Sequence, residues 1–497
     1  MKKLLTSPWV LLAAICLLRL PGFVFGVLNI DESDYLTYAA GIWKGLLPYR
    51  DLVEIKPPLG YFTYALAGGL AWPIRALAIL WVFGTAMFLR AAARRWTGSE
   101  EAGWAAAWLS LLAGFVEVPW FSSELMMNLP IAAALYFFVR RDLLACGFFI
   151  GVATLYRHQS GIAAIALGLA VLYQQRREPG RALAQVSVMA LGSTAPWVLA
   201  AAAYAAIGQF PAFFEWSIKR GVAYASHGRA GSALARAAGS TALCVGATCV
   251  VWVLGVRETF RPRPDVVWRG LVLLLWMSFI PVALGGRFYE HYYLQFVPPL
   301  AVLAAPGAAE LAARWRELLP RVRGLAIAGV AVPLAVWLSF SWGRGLAGRY
   351  PEQEPRAREA ALWLRAHSAP ADTLFVWGHY SPIYTLSHRL PGTRYVNTSP
   401  LIGNFDPEHL TASFDPARSR SQPDVEWALA DLDRRQPEWF VDTSTADIHN
   451  WGRIPVSTFP ELLRYRAEHY TESARPGGVA VYRRRELPAK QARRAPE

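Results

Sequence analysis

The sequence predicts an α-helical polytopic membrane protein with a small C-terminal extracytoplasmic α/β domain. Of the 497 residues, 54% are hydrophobic and only 17% are charged, whereas soluble chains carry about 25% charged residues. Apolar runs of about 17–25 residues, with which a helix crosses roughly 30 Å of hydrocarbon, recur as far as residue 342. From about Gly345 the chain becomes charged and rich in proline, and its periodicity changes.

The membrane part is predicted to contain about eleven spans. Short gaps between the apolar runs carry arginine in alternation, which is the positive-inside pattern. The net charge of +14 therefore reflects topology and gives no evidence for nucleic acid. With Lys2 and Lys3 inside, an odd number of spans places everything after about Trp342 outside the cytoplasm. The predicted spans lie near residues 7–28, 74–92, 102–120, 125–140, 143–157, 160–174, 183–207, 238–256, 270–286, 293–309 and 323–342.

The N-terminal stretch and the cysteines agree with a membrane class. The apolar stretch that ends near Leu28 is too long for a usual signal-peptide core, so we expect an uncleaved first span. The cysteines lie inside apolar runs without metal-ligand spacing, which predicts small buried hydrophobic residues. They are Cys16, Cys146, Cys244 and Cys249.

The C-terminal domain is predicted from helices that alternate with strands, a pattern typical of α/β folds. Helical periodicity covers residues 359–367 and 425–435. No glycine-rich phosphate fingerprint follows any predicted strand, so no nucleotide is expected. The predicted strands cover residues 373–377, 439–441 and 479–482.

Two domains follow from these elements. Residues 1–344 form a predicted transmembrane domain that includes the first outer loop, residues 29–73. Residues 345–497 form a predicted periplasmic or extracytoplasmic α/β domain. The loops expected at or near the outer face are candidates for a functional site, and they cover residues 29–73, 120–124, 157–160, 208–237 and 287–292.

Three carboxylates stand directly at the end of the first predicted span: Asp31, Glu32 and Asp34. Ionisable groups at the membrane boundary are costly to desolvate, so the cluster is a candidate site and Asp31 a candidate catalytic residue. Alternatively, Asp31 caps a short interfacial helix that runs to about Lys44, with Asp34 at its third position. Both interpretations can hold, because a capping aspartate still offers a second oxygen to a substrate.

Glu54 and Lys56 form a second candidate pair in the same loop. Pro57 disfavours the α conformation in the residue before it, which predicts an extended backbone at Lys56. Side chains two apart on an extended segment share a face, so the carboxylate and the ammonium could hold an acceptor hydroxyl and a phosphate oxygen. The alternative is an interfacial salt bridge with a snorkelling lysine.

These residues carry a family resemblance. Asp31-Glu32 with Tyr35 ends the first span, and Gly45-x-x-Pro48-Tyr49 and Glu54-x-Lys56-Pro57-Pro58-Leu59 follow it. In these motifs the chain resembles the GT-C superfamily of integral membrane glycosyltransferases. It is most similar to the branch of protein O-mannosyltransferases, lipid A aminoarabinose transferases and lipopolysaccharide galacturonosyltransferases. The likeness covers the first loop and the order of spans, and hardly the C-terminal domain.

The resemblance implies a polyprenyl-phosphate-linked sugar as donor and an inverting displacement. It implies that Asp31 is the base that takes the acceptor's proton and that Lys56 contacts the donor phosphate. Glu54 matches an acidic position that contacts the acceptor or a metal. The family is divided on divalent metal use, so a divalent cation remains possible and its ligands unknown.

Three further clusters are expected on the same face. Arg157 and His158 follow a short apolar span, where a cation needs an anion, although Arg157 could instead interact with the helix dipole. Arg287 and His291 lie in an aromatic-basic loop that could also be an interfacial aromatic belt. Arg287 offers bidentate geometry for a phosphate. Glu124 is a weaker candidate and the expected start of a helix.

The predicted function is a membrane glycosyltransferase on the outer face of the inner membrane. A carboxylate base and cations on the departing phosphate are the minimum set for this chemistry. The predicted partners are the lipid-linked donor, the bilayer and an acceptor that is a glycan, a lipid or a protein hydroxyl. The alternatives are a transporter or flippase for a lipid-linked or anionic substrate, which would show internal repeats, and an oligosaccharide polymerase or ligase.

Overall fold

The computed structural model describes residues 2–226, 232–404, 410 and 413–485. The predicted domain end, residues 486–497, and part of the predicted outer loop 208–237 lie outside these residues. The α-helices are, in chain order, α1 (Lys2–Leu5), α2 (Pro8–Phe25), α3 (Ile30–Ile42), α4 (Leu59–Ala65), α5 (Ala71–Thr97), α6 (Glu100–Leu112), α7 (Ser123–Val139), α8 (Leu143–Thr154), α9 (Ile162–Gln174), α10 (Pro179–Ala206), α11 (Phe210–Phe213), α12 (Gly221–Ser226), α13 (Ala233–Ala247), α14 (Cys249–Thr259), α15 (Val266–Met277), α16 (Phe279–Ala283), α17 (Val297–Ala313), α18 (Pro320–Leu346), α19 (Pro355–His367), α20 (Pro382–Ser387), α21 (Pro416–Ser419), α22 (Gln422–Arg435) and α23 (Pro460–His469).

Short helices of other types connect these elements. A π-helix covers Phe214–Arg220. The 3₁₀ helices are His158–Gly161, Leu284–Gly286, Glu290–Phe296, Pro351–Gln353, Ser399–Ile402, Thr443–Ala446, Ile448–Arg453, Val456–Thr458 and Pro476–Gly478. By packing, the chain divides into a membrane unit, Met1–Leu28 with Ile55–Gly348, and a C-terminal unit, Asn29–Glu54 with Arg349–Glu497.

The membrane unit is built from apolar helices. Helical segments of this unit cover at least part of each of the eleven predicted spans. The count of eleven stays a prediction, and the fold class is confirmed as that of a multi-pass membrane protein. α13 and α14 meet at an angle of 97°, so the predicted span 238–256 is bent. Among the described helices, six are long and apolar enough to cross a membrane, or up to seven with the bent pair: Pro8–Phe25, Ala71–Thr97, Pro179–Ala206, Val266–Gly286, Glu290–Ala313 and Pro320–Gln353.

Small residues let the helices α8 and α10 approach closely. A Cβ atom at Gly147 of α8 would lie 2.0 Å from the carbonyl oxygen of Met189 on α10, and one at Gly151 would lie 2.3 Å from that of Ser193. Such contacts exclude any larger residue. Membrane helices commonly use small residues in this way, because lipid provides no hydrophobic drive for their association.

The C-terminal unit contains a sheet with the strand order β2-β1-β3-β5-β4. β1 is parallel to β2 and β3, whereas β5 is antiparallel to β3 and β4. The three predicted strands and both predicted helices of this domain are confirmed, and β2 and β4 were not predicted. The strands are β1 (Thr373–Trp377), β2 (Leu390–Pro391), β3 (Trp439–Asp442), β4 (Tyr470–Ala474) and β5 (Ala480–Arg484).

The first loop packs within the C-terminal unit as far as Glu54. α3 lies beside α20, where the hydroxyls of Ser33 and Thr385 are 3.3 Å apart. The backbone N–H of Val53 donates to the carbonyl of Arg394 at 2.9 Å. The sequence analysis placed residues 29–73 in the membrane domain as one loop. The domain ranges 1–344 and 345–497 stay a prediction. By packing, the part of the loop that carries the carboxylates is held by the C-terminal domain.

Candidate active site

The first carboxylates lie in the opening turn of α3. The N-cap is Asn29, whose side chain accepts a hydrogen bond from the N–H of Asp31 at 3.0 Å. The interpretation of Asp31 as the helix cap is therefore wrong, because the residue two positions earlier fills that role. Asp31 is partly exposed, whereas Glu32 and Asp34 are buried. Of the three side chains, Asp31 is the one that remains accessible to a substrate.

Tyr38 links the α3 carboxylates to Glu54. Its hydroxyl donates to the carbonyl of Val53 at 2.6 Å. Burial raises the pKa of Tyr38, and the negative charges of Glu54 and then Asp34 raise that pKa further. Glu54 and Asp34 therefore both lie near enough to the Tyr38 hydroxyl for their charges to act on it.

A tight turn holds the segment before Glu54. The Asp51 carboxylate accepts the N–H of Leu47 at 2.9 Å and lies 3.5 Å from the guanidinium of Arg435. Tyr49 adopts a left-handed φ of 71°, a conformation that non-glycine residues seldom adopt. Its N–H donates to the carbonyl of Leu52 at 2.7 Å. The turn thus fixes the direction from which the chain reaches Glu54.

Lys56 belongs to the membrane unit and precedes α4. The N–H of Leu59 donates to the carbonyl of Leu155 at 3.1 Å. The hydroxyls of Thr63 and Tyr156 are 2.9 Å apart. These contacts place the start of α4 beside the end of α8. The segment that carries Lys56 is therefore a neighbour of the segment that carries the predicted Arg157.

Arg157 forms a buried ion pair with Glu124. Its Nη1 lies 3.0 Å from Glu124 Oε1, and the hydroxyl of Ser123 donates to Glu124 Oε2 at 2.9 Å. The guanidinium also covers the ring of Tyr292 at 4.7 Å. Glu124 does occupy the first turn of a helix, α7, whose N-cap is Ser122. The guanidinium of Arg157 is therefore paired with a carboxylate. An interaction with the helix dipole alone would not need such a pair.

His291 lies between two carboxylates. Its Nδ1 is 3.6 Å from Glu117 Oε1, and its Nε2 is 3.8 Å from Glu124 Oε1. The imidazole also stacks against the ring of Tyr289, with centroids 5.5 Å apart. His291 and Arg157 thus share Glu124, and the predicted residues of three separate segments meet in one charged cluster.

His158 and Arg287 lie on opposite ends of the short helix α12. A Cβ atom at Gly221 would meet His158 Cε1 at 3.4 Å and the carbonyl oxygen of Ile55 at 3.3 Å. One turn later, the Arg287 guanidinium covers the ring of Tyr224 at 3.8 Å and donates to its carbonyl at 3.3 Å. His158 stacks on Trp197 as well. α12 thus draws the segments of Lys56, His158 and Arg287 to one region of the membrane unit.

The predicted residues therefore fall into two sets. The carboxylate set is Asp31, Glu32, Asp34 and Glu54 in the C-terminal unit, and the cationic set is Lys56, Arg157, His158, Arg287 and His291, with Glu124, in the membrane unit. Within the described ranges, no group of three His, Cys, Asp or Glu side chains could hold a metal ion. No metal ligands are assigned from this arrangement.

Sequence reasoning missed Glu117, Tyr224 and Tyr292, which contact the cationic set. Glu117 falls inside the predicted span 102–120, but α6 ends at Leu112 and an irregular segment carries the carboxylate. A charged residue inside an apolar run is a functional signal in itself, so Glu117 could have been found. The two tyrosines carry no comparable signal, because aromatic residues are common at membrane interfaces.

Comparisons of the whole chain with known proteins agree on the fold. No protein-family model and no curated protein sequence matches the chain. It is similar to the crystal structure of ArnT from Cupriavidus metallidurans bound to undecaprenyl phosphate, with a TM-score of 0.60 and 16% identity over 95% of this chain and 97% of that one. It is also similar to archaeal oligosaccharyltransferase AglB from Archaeoglobus fulgidus, with a TM-score of 0.55 and 13% identity over 97% and 75% of the two chains. Both are GT-C superfamily members, and this chain shares their fold.

Proposed function

We propose that this chain is a membrane glycosyltransferase that moves a sugar from a polyprenyl-phosphate donor to a glycan, lipid or protein acceptor. The observation that carries the proposal is the cationic set, in which segments far apart in sequence bring Lys56, Arg157 and Arg287 to one region. Basic residues that converge in a membrane protein favour an anionic ligand. The phosphate of a lipid-linked sugar is such a ligand.

Asp31 acts as the general base. It removes the proton of the acceptor hydroxyl as the oxygen attacks the anomeric carbon, and the configuration there inverts. Its position in the first turn of α3 supports this role, because the side chain is partly exposed while Glu32 and Asp34 are buried. Glu54 orients the acceptor. A positioned base of this kind contributes about 10²–10⁴-fold to the rate.

Lys56 and Arg287 stabilise the departing phosphate. A compact ammonium and a planar guanidinium offer a point charge and a pair of parallel donors to phosphate oxygens. Arg157 itself is paired with Glu124, whose Oε1 lies 3.0 Å from its Nη1. Arg157, Glu124 and His291 therefore hold the cationic set in place, and only a ligand that competes with Glu124 would meet Arg157 directly.

The lipid carrier has support from the similar structures. The crystal structure of ArnT is bound to undecaprenyl phosphate, and that of AglB is a complex with an inhibitory peptide and a dolichol-phosphate. These proteins are glycosyltransferases that use polyprenyl-phosphate carriers. We propose the same class of carrier here. The protein lies in the inner membrane, and its carboxylate set and C-terminal domain face the periplasmic or extracytoplasmic side.

The test is transfer by the full-length chain in nanodiscs, supplied with polyprenyl-phosphate-linked sugars and with an envelope extract as the source of acceptor, both from its host. Release of free polyprenyl phosphate is measured. The Asp31→Asn variant should lose at least about a hundredfold in rate, and Asp34→Asn should be milder. Wild-type turnover by Asp31→Asn would exclude Asp31 as the base.

Asp51→Asn provides a matched control in the same loop. It makes the same chemical change at a carboxylate that binds Leu47 and Arg435. It should retain activity within about tenfold, since it weakens the turn without touching the proposed base. Equal losses in both variants would assign the effect of Asp31→Asn to loop folding.

A further inference from the structure

The end of α9 meets the start of α15 in the membrane unit. The two helices pack closely, because a Cβ atom at Gly270 of α15 would lie 2.9 Å from Leu167 Cδ2 of α9. Arg269, in the first turn of α15, donates to the side chain of Gln174, the last residue of α9. The predicted topology places this end of the helices on the cytoplasmic side, where the arginine-rich gaps lie.

Two arginines from these elements lie over one aromatic ring. The Cζ atoms of Arg176 and Arg269 are 4.6 and 5.0 Å from the centroid of the Tyr173 ring. Arg176 Nη1 also donates to the carbonyl of Tyr173 at 3.1 Å, and Arg269 Nη1 to that of Pro264 at 3.3 Å. The ring and the carbonyls hold both side chains, so these lose less freedom when a ligand binds.

No carboxylate of the described residues forms an ion pair with either guanidinium, and their hydrogen-bond acceptors are neutral. Asp265, the N-cap of α15, instead accepts the N–H of Trp268 at 2.8 Å and the indole N–H of Trp96 at 3.3 Å. Two positive charges over one ring repel each other. The positive end of the α15 dipole also disfavours a cation at Arg269. An anion in contact with both guanidiniums would relieve both effects.

An exposed apolar face of α9 leads to this pair of arginines. Ile165, Leu169 and Leu172 are large exposed hydrophobic residues, and their spacing of four and then three residues places them on one face of the helix. Arg176 follows at the same spacing, just beyond the end of α9. In a multi-pass membrane protein, an exposed apolar face of this kind contacts hydrocarbon. The two guanidiniums thus lie where such a face reaches the membrane boundary.

We propose that Arg176 and Arg269 bind the phosphate of an anionic phospholipid in the cytoplasmic leaflet, with an acyl chain along the exposed face of α9. A guanidinium offers two parallel donors to phosphate oxygens, and the cytoplasmic leaflet contains anionic lipids. A zwitterionic phospholipid also carries an ammonium group, which two guanidiniums repel.

This lipid site is separate from the cationic set. The 13 residues of α9, about 20 Å at 1.5 Å per residue, lie between His158 and Arg176. The bound lipid takes no part in the proposed transfer of a sugar. The proposal concerns binding alone and stands whether or not sugar transfer does.

The test uses photoactivatable lipids on the full-length protein in phosphatidylcholine nanodiscs without a sugar donor. Two probes carry the same acyl chain with a diazirine and an alkyne, one on phosphatidylglycerol and one on phosphatidylcholine. Crosslinked peptides are identified by mass spectrometry. Labelling around residues 165–176 is divided by labelling around residues 191–199 of α10, an apolar segment that contains no arginine. We expect a ratio at least about tenfold higher for the phosphatidylglycerol probe, the low end for a hydrogen bond to a charged group.

Two variants and one control locate the site. Arg176→Gln and Arg269→Gln should each lower the phosphatidylglycerol ratio about tenfold and leave the phosphatidylcholine ratio unchanged. Arg177→Gln is the matched control, because it removes an exposed positive charge at the next position. It should keep the ratio within about twofold, since an exposed charge contributes little.

Three results would overturn the proposal. The first is an equal ratio for the two probes, and the second is a wild-type ratio in Arg176→Gln and Arg269→Gln. The third is an equal loss in Arg177→Gln, which general attraction of anionic lipid to positive charge would produce. If Arg269→Gln fails to fold, the comparison of Arg176→Gln with Arg177→Gln decides alone.

Discussion

Arg157 Nη1 lies 3.0 Å from Glu124 Oε1 in a buried ion pair that joins the end of α8 to the start of α7. His291 approaches the same carboxylate oxygen at 3.8 Å. Breaking a buried pair on one side leaves an uncompensated charge, which typically costs about 3–5 kcal/mol. This pair therefore contributes to the stability of the region that holds Arg157 and His291.

We expect Glu124→Gln to destabilise the membrane unit by an amount in this range, about 3–5 kcal/mol. Replacing both partners, in Glu124→Gln with Arg157→Gln, should recover much of the loss, because neither charge then remains unpaired. Thermal unfolding in one detergent compares the wild type, Glu124→Gln, Arg157→Gln and the double variant. Additive losses would show that the two residues do not depend on one another.

The donor phosphate can be tested separately from the acceptor. If, as proposed, both cations bind the leaving phosphate, Lys56→Ala and Arg287→Ala should each raise the KM for donor lipid more than the KM for acceptor. Lys56→Arg should also impair transfer, since a planar fork does not replace a compact ammonium. Rates are measured against varied donor and then against varied acceptor.

Arg181→Ala is the control for the loss of one positive charge. Its side chain is 63% exposed beside Glu178 at the start of α10, and it should leave both KM values unchanged. If Lys56→Ala and Arg287→Ala keep the wild-type dependence on donor lipid, the cationic set does not bind the phosphate.

The C-terminal unit should lose its hold on the first loop in acid. Burial raises the pKa of Asp431, but hydrogen bonds and charge from Arg394 outweigh it and leave that pKa below its usual value. The guanidinium contacts both carboxylate oxygens, at 2.8 and 3.1 Å. A carboxyl group whose pKa is lower in the folded than in the unfolded protein stabilises the fold at pH values above its unfolded pKa, which is about 3.9. This contribution falls progressively below about pH 5.

The measurement is hydrogen exchange at the Val53 amide, which donates to the carbonyl of Arg394, corrected for intrinsic exchange at each pH. Protection should fall between about pH 5 and pH 3 in the wild-type chain. Asp431→Asn should be less protected at neutral pH and should lose little more in acid. The exposed Glu359 offers a control, and Glu359→Gln should behave as the wild type.

Topology can be checked with a reporter that is active only outside the cytoplasm. Fused after residue 345 or at the C-terminus, it should be active, because an odd number of spans starting from an inside N-terminus ends outside. Activity of a cytoplasmic reporter at either point would remove the predicted count of eleven spans. It would also remove the outer placement of the C-terminal domain.

Much of the fold was predictable because the helices and strands follow the pattern of apolar residues along the chain. The lengths of apolar runs located the membrane helices, and short apolar runs located β1, β3 and β5. β4 was missed because its middle residues are exposed and polar, so it lacks the alternation that marks a strand. Its place in the sheet depends on pairing with β5, which local sequence does not encode.

The sequence proposes residues of the candidate site, but it does not predict their contacts. Asp31, Glu54 and Lys56 were proposed from their positions and motifs, and their roles stay a prediction. The sequence pattern did not identify Asn29 as the N-cap of α3. Such patterns locate the end of a helix only to within one or two residues. The contact of Glu124 with Arg157 joins segments more than thirty residues apart, and nothing in either segment specifies the partner.

The central claim is tested most directly in host cells that lack this protein and carry either the wild-type chain or Asp31→Asn at equal levels in the membrane. Lipid-linked sugars and envelope glycans are extracted and compared by mass spectrometry. We predict that Asp31→Asn cells, like cells without the protein, accumulate one polyprenyl-phosphate-linked sugar and lack that sugar on one envelope acceptor, and that the wild-type chain reverses both changes. Unchanged lipid-linked sugars in all three strains, or full reversal by Asp31→Asn, would contradict it.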